Sequence, residues 1–150
     1  MYEFDYQRPA TVDDAVKIAG GDARFLAGGQ SLVQSMRLRL ASAPTLVDLG
    51  AIPGLRSIKV DGNTVTIGAM ATHSTVARSS EVAKAIPALA ELAAGIGDPM
   101  VRNLGTIGGS IANIKVPATG LNGDMHGSAE YRAAMITVMA QRGVEAALAR

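Results

Sequence analysis

The sequence contains no cysteine and no tryptophan. Without cysteine, the chain has no disulfide framework, no thiolate zinc site and no iron–sulfur cluster of its own. A metal site would depend on two histidines and on carboxylates, which is a small supply. Aromatic residues are also few, and three of the five stand at positions 2, 4 and 6. The core of the remaining chain is therefore predicted to consist of Ala, Val, Ile, Leu and Met.

The chain also lacks an excess of either charge, since 14 Lys and Arg accompany 13 Asp and Glu. This balance argues against a nucleic-acid binder with a broad basic surface. Hydrophobic residues make up 48% of the chain, which is too many for an intrinsically disordered protein. No apolar run reaches the ~20 residues of a membrane span, and the amino terminus does not resemble a signal peptide. We expect a soluble, cytoplasmic protein without a membrane span.

Extended and helical patterns alternate along most of the chain. Strands are predicted over 2–6, 24–27, 45–49, 56–60 and 64–68, with a tight turn at Asp61-Gly62-Asn63 between the last two. Helices are predicted after a cap at Thr11, over 31–40, from Thr72 onward with a new cap at Ser79 or Ser80, and over 87–94. Val12, Ala15, Val16 and Ala19 are assigned to the apolar side of the first helix, and residues 95–99 are expected to break the last one.

Regular patterns end near residue 113. Residues 113–127 show no convincing period, and a final helix is predicted from Ser128 to about residue 148. We therefore divide the chain into a domain at 1–113, a linker at 114–127 and a C-terminal helix at 128–150. Apolar residues point to several sides of this last helix, which predicts that other parts of a protein cover it.

Two motifs pair adjacent glycines with hydroxyl residues. The first is Ala27-Gly28-Gly29-Gln30-Ser31, between a predicted strand and a predicted helix, and the second is Thr106-Ile107-Gly108-Gly109-Ser110. Glycines allow close approach of the backbone to a ligand, and N–H groups at a helix start favour an anion. Each motif alone is also typical of a simple tight turn. Together they are predicted to hold the two phosphates of a dinucleotide, although neither matches the Rossmann or P-loop pattern.

Longer stretches around these motifs resemble a known family. They are Ala27–Leu32 with Met36–Leu40, then Leu46–Leu49, Ile67–Met70, Asp98–Asn103 and Gly105–Asn113. In this order they are similar to the FAD-binding medium subunit of molybdenum hydroxylases, most of all to the flavoprotein subunit of aerobic carbon monoxide dehydrogenases. The resemblance covers roughly residues 4–113 without a gap.

The resemblance implies an α+β fold of the PCMH type, in which two small α/β subdomains like those of vanillyl-alcohol-oxidase-type flavoproteins hold FAD between them. It implies that both glycine motifs, residues 27–31 and 106–110, contact the FAD pyrophosphate. Electrons would come from a molybdenum-cofactor large subunit through an iron–sulfur small subunit, pass through the flavin and leave to an acceptor. No catalytic side chain and no metal ligand is assigned, because the chemistry belongs to the flavin.

After Asn113 the sequence departs from the family. Residues 114–120 contain no carboxylate where family members place an Asp near the cofactor ribose, and residues 127–142 resemble the family's final helix. The chain therefore looks like a medium subunit with an incomplete second subdomain and little of its C-terminal domain. A non-catalytic remnant that binds FAD weakly, or only docks on partner subunits, is the alternative function. A third interpretation is a regulatory module that binds ADP-like ligands without flavin.

Two side chains near the motifs receive structural interpretations. His73 is expected at the surface or in a cap, because no Cys, His or carboxylate cluster accompanies it. A structural role is the favoured interpretation of Arg102, and contact with the cofactor is the alternative. Methionines such as Met36 and Met100 are expected to fill the core or an interface.

Overall fold

The computed structural model describes residues 1–114, with side chains described through residue 112. Within these residues the strands are β1 (Asp5–Gln7), β2 (Arg24–Leu26), β3 (Thr45–Asp48), β4 (Ile58–Asp61) and β5 (Thr64–Ile67). The helices are α1 (Val12–Ile18), α2 (Leu32–Arg37), α3 (His73–Arg78), α4 (Ser80–Ala85), α5 (Pro87–Gly95), α6 (Pro99–Leu104) and α7 (Ile107–Ile114), and a 3₁₀ turn spans Leu49–Ala51. The predicted α+β class is confirmed.

The first three strands form a parallel sheet in the order β1-β3-β2. The central strand β3 buries residues on both faces, because successive side chains of a strand point to opposite sides. Val47 packs on one face with Ala15 of α1. Leu46 packs on the other face with Met36 of α2. The sheet is thus covered by one helix on each side, as expected for parallel strands.

The second half of the described chain packs around its own core. Strands β4 and β5 form an antiparallel hairpin. Its apolar side chains contact a cluster supplied by helices α3, α4 and α5 and by the segment just before α3. The buried members of that cluster are Ala71, Val76, Val82, Ala90 and Ala93. The buried apolar residues of both halves are Ala, Val, Ile, Leu and Met, as the shortage of aromatics predicts.

Local capping signals agree with the structure. Thr11, Thr72 and Ser79 each accept a hydrogen bond from a backbone N–H in the first turn of the following helix. The predicted turn at 61–63 joins β4 to β5, with Gly62 at φ +53°. These elements are fixed by interactions between near neighbours, which a sequence pattern records directly.

Three predicted details of the first half are wrong. Strand β1 begins at Asp5 rather than at residue 2, because its pairing with β3 starts there. In α1 Ala15 is buried as predicted, whereas Val12 and Val16, which are predicted on the same apolar side, are 51% and 62% exposed. Helix α2 ends at Arg37 rather than near residue 40. There Arg39 adopts φ +58°, and backbone bonds from residues 39 and 40 back to 36 and 35 close a Schellman motif.

Helix α6 is a further correction, since residues 95–99 were predicted only as a break. Asp98 accepts a hydrogen bond from Val101 N at 2.8 Å, and Pro99 occupies the first helical position. Helix α7 continues to Ile114, and the predictions for 115–150 lie outside the described residues. No helix within residues 1–114 has the length and apolar character that a membrane crossing requires.

Candidate functional site

A cleft of about 380 Å³ lies between the β2–α2 connection and the start of α7. This volume is within the range of ~300–1,000 Å³ that is usual for small-molecule sites. The apolar residues that line the cleft include Phe25, Leu32, Leu49, Met70, Ile96 and Val101. None of the described lining residues is a lysine, arginine, aspartate or glutamate. An anion in this cleft would therefore depend on backbone N–H groups and hydroxyls.

Asp48 helps to place one of these apolar residues. Its carboxylate accepts hydrogen bonds from Gly50 N at 2.8 Å and from the Tyr6 hydroxyl. The first bond holds the 3₁₀ turn after β3, and the second joins β1 to the same point. The turn carries Leu49 into the cleft wall.

Gly28 of the first motif packs against the Leu104–Gly105 peptide, which directly precedes the second motif. A methyl group at this position would lie 2.7 Å from the carbonyl carbon of Leu104, closer still to its oxygen, and 3.1 Å from Gly105 Cα. Only glycine fits against this peptide, since no rotation moves a Cβ atom away from the backbone. The end of β2 and the end of α6 are therefore in direct contact, which brings both motifs to one cleft.

The first motif presents unpaired donors. Gly29 has φ +73°, a conformation that favours glycine. Within the described residues, the backbone N–H groups of Gly28, Gly29 and Gln30 have no protein acceptor. Helix α2 begins two residues later. Successive N–H groups in such a turn form a concave site for an anion.

The second motif differs, because its backbone donors are already used. The N–H groups of residues 107–110 donate in turn to Ala71 O at 3.0 Å, Ala69 O at 2.8 Å, Thr106 Oγ1 at 3.1 Å and Thr106 O at 3.1 Å. The motif lies in the first turns of α7, not in a loop as predicted. Gly108 is needed for packing, since a Cβ atom there would lie 2.7 Å from Ala69 Cβ and O.

The structure places the predicted binding residues as follows. Ala27, Gly28, Gly29, Gln30, Ser31, Thr106, Gly108, Gly109 and Ser110 line the cleft. Ile107 instead packs against the core cluster of the second half. Arg102 directs Nη1 to the carbonyl oxygens of Gly97 at 3.1 Å and Ile96 at 3.3 Å, and so holds the α5–α6 connection.

His73 lies at the cleft and was missed by the sequence analysis. It is 3% exposed, so the prediction of a surface position is wrong. Its Nε2 atom is 2.9 Å from Ser110 Oγ, and its backbone N–H donates to Gly105 O. Burial lowers the pKa of His73 below the ordinary value of 6.5. The contact with Ser110 joins residues from distant parts of the chain, and no local pattern signals it.

This lowered pKa predicts a loss of stability in mild acid. The unfolded chain takes up a proton on His73 near pH 6.5, while the folded chain takes it up only at lower pH. The free energy of unfolding should therefore fall as the pH decreases from above 6.5 through the folded-state pKa. His73→Gln, which does not titrate, should have a flatter profile in urea denaturation series. Identical profiles for the two proteins would contradict the prediction.

Comparison with known proteins identifies the family of the chain that forms this cleft. The family described as "FAD binding domain in molybdopterin dehydrogenase" matches residues 2–147. The chain belongs to this family. The family's cofactor is FAD, and its members are oxidoreductase domains, as the resemblance at residues 4–113 predicts.

Individual members of the FAD-binding family are similar over most of this chain. The carbon monoxide dehydrogenase medium chain of Hydrogenophaga pseudoflava is 47% identical over 113 residues, which are 73% of this chain and 39% of that protein. The nicotine 6-hydroxylase medium subunit of Paenarthrobacter nicotinovorans is 41% identical over 110 residues, covering 72% and 39%. This chain therefore spans about two fifths of the length of these relatives.

Solved structures of the family have the same fold. A carbon monoxide dehydrogenase from Hydrogenophaga pseudoflava, which lacks the Mo-pyranopterin moiety of its cofactor, matches with a TM-score of 0.72 and 46% identity, over 74% of this chain and 40% of that chain. Quinoline 2-oxidoreductase from Pseudomonas putida 86 matches with a TM-score of 0.71 and 36% identity, over 74% and 40%.

Proposed function

We propose that this chain holds the diphosphate of FAD in the cleft and that the flavin passes electrons from the molybdenum and iron–sulfur subunits of a molybdenum hydroxylase to an acceptor. The observation that carries the proposal is the set of three N–H groups at Gly28, Gly29 and Gln30, none of which has an acceptor among residues 1–114. Charged acceptors form stronger hydrogen bonds with such donors than neutral ones do. Bound FAD supplies the redox chemistry, while the protein orients it.

The two motifs have unequal roles in this proposal. Residues 28–30 donate backbone N–H groups to the phosphates. Residues 106–110 form part of the cleft surface and supply the hydroxyl groups of Thr106 and Ser110. They supply no free backbone donors from residues 107–110, because those N–H groups are engaged within the protein. This division differs from the expectation that both motifs supply backbone N–H donors to the phosphates.

The partners are proposed from the family. Relatives with this domain are medium chains or medium subunits, which supports an iron–sulfur subunit and a molybdenum-cofactor subunit as neighbours of this chain. The domain arrangement remains part of the same proposal: a PCMH-type domain of two subdomains at 1–113, a linker at 114–127 and a C-terminal helix at 128–150. Electrons would enter from the iron–sulfur partner and leave to an acceptor.

Titration of the purified chain with FAD, ADP and adenosine tests the diphosphate site. FAD and ADP should both bind, and adenosine should bind at least about tenfold more weakly, because each hydrogen bond to a charged group contributes about 1.5–3 kcal/mol. Isothermal calorimetry measures all three affinities. Equal affinities for ADP and adenosine would contradict the diphosphate site, and binding of ADP without FAD would favour the nucleotide-binding module instead.

The Gly29→Ala variant tests the first motif. A side chain disfavours φ +73°, so the turn should relax and its N–H groups should no longer converge. We expect about tenfold weaker ADP binding by calorimetry. Gly21→Ala is the matched control, because Gly21 has the same φ of +73° and nothing surrounds it within 4 Å. Both variants carry the same backbone strain, but a Cβ atom at Gly29 would also lie 3.0 Å from Val33 Cγ2. Gly29→Ala should therefore lose at least as much stability as Gly21→Ala, but only Gly29→Ala should lose affinity; equal affinities would overturn the assignment.

A further inference from the structure

The imidazole of His73 is almost fully enclosed beside the cleft. Its Nε2 atom lies 2.9 Å from Ser110 Oγ, while Nδ1 is buried and has no hydrogen-bond partner among the described residues. A neutral imidazole carries its single proton on one of these two nitrogens. The environment of each nitrogen decides which of the two carries the proton.

The unpaired nitrogen indicates the tautomer. A proton on Nδ1 would create a buried N–H donor without an acceptor, whereas a proton on Nε2 is bonded to Ser110 and leaves only a lone pair unpaired. Buried donors without partners are rarer in proteins than under-used acceptors. The Nε2–H form is therefore favoured, and Ser110 Oγ accepts from it.

The hydroxyl of Ser110 then has a proton to donate. Within the described part of the chain, His73 is the only side chain that forms a hydrogen bond with this hydroxyl. Ser110 lines the same cleft as the unpaired N–H groups of the first motif. A hydroxyl that accepts from a fixed donor keeps its proton for another acceptor.

We infer that His73 is a positioning residue, which holds Ser110 Oγ as an acceptor so that the hydroxyl proton is directed to a phosphate oxygen in the cleft. This inference rests on the proposed function, because it needs a phosphate there. It adds a side-chain donor to the cleft that residues 28–30 also line. His73 itself does not touch the ligand.

A double-mutant cycle tests this role. Calorimetry with ADP compares the wild-type chain, His73→Leu, Ser110→Ala and the double variant. Ser110→Ala should weaken binding about tenfold, as the loss of a hydrogen bond to a charged group does. His73→Leu should weaken it about three- to tenfold in the wild-type background and have little effect when Ser110 is already Ala. Equal losses in both backgrounds would overturn the inference.

Two substitutions separate positioning from packing. In His73→Gln the side-chain amide nitrogen takes the place of Nε2 and should restore most of the ADP affinity that His73→Leu loses. In His73→Asn the amide nitrogen takes the place of Nδ1 and should not restore it. Rescue by Asn but not by Gln would contradict the assigned donor.

Nitrogen-15 NMR of the imidazole in the unliganded wild-type chain provides a test that needs no variant. Nδ1 should give the signal of a bare nitrogen and Nε2 that of a protonated one at pH 7. The opposite assignment would overturn the inference and leave the proposed function intact. If the wild-type chain binds neither ADP nor FAD, the proposed function fails, and the NMR result still decides the His73 tautomer.

Discussion

Gly28→Ala is expected to lower the free energy of unfolding by about 3 kcal/mol. The added methyl group would overlap the Leu104 peptide, whose carbonyl carbon would lie 2.7 Å away. Backbone atoms cannot change rotamer, so α6 or the β2–α2 connection must shift as a whole. Urea denaturation measures the loss of stability. Because the shift separates the two motifs, ADP affinity should fall as well.

Gly95→Ala is the control for this substitution. Gly95 is the last residue of α5, and nothing surrounds it within 4 Å. Alanine there should leave stability unchanged or raise it by up to about 1 kcal/mol, because alanine is the better helix former. If Gly28→Ala is as stable as Gly95→Ala, the close contact between Gly28 and the Leu104 peptide does not exist in solution.

Met36→Ala should have a comparable effect, with a loss of about 2–5 kcal/mol. Met36 is 1% exposed and packs with Leu46 and Ala43 beneath the sheet. Its removal leaves a cavity under α2, the helix that follows the unpaired N–H groups. Thermal and urea denaturation measure the loss, and weaker ADP binding should accompany it if α2 shifts.

Leu38→Ala serves as the matched substitution. Leu38 is the C-cap of the same helix but is 70% exposed, so its truncation removes little packing. A change within about 0.5 kcal/mol is expected. Equal losses for the two variants would show that α2 is not anchored by Met36.

The features predicted correctly from the sequence are local ones. Thr11, Thr72 and Ser79 cap helices because their hydroxyls bond to N–H groups three residues away. The 61–63 turn depends on its own residues. The glycine motifs identify the family because they occur in a fixed order along the chain.

Other features depend on residues that are distant in sequence. The N–H groups of Ile107 and Gly108 are used because the segment at Ala69–Ala71 passes beside them, and no pattern within 106–110 reveals this. The burial of His73 depends on α6 and α7 in the same way. The sequence pattern places Val12, Ala15 and Val16 on one apolar side of α1, but of these three only Ala15 is buried, because it packs against the sheet.

The contact between Gly28 and the Leu104 peptide also has a consequence for the order of events during synthesis. Ribosomes add about 5–20 residues per second, so the Gly28–Gln30 segment is made several seconds before Leu104. During that interval one side of the cleft has no counterpart, and its N–H groups are bonded to water. A nascent chain that ends within α5 therefore lacks the complete cleft. The complete cleft forms only after α7 has been synthesised.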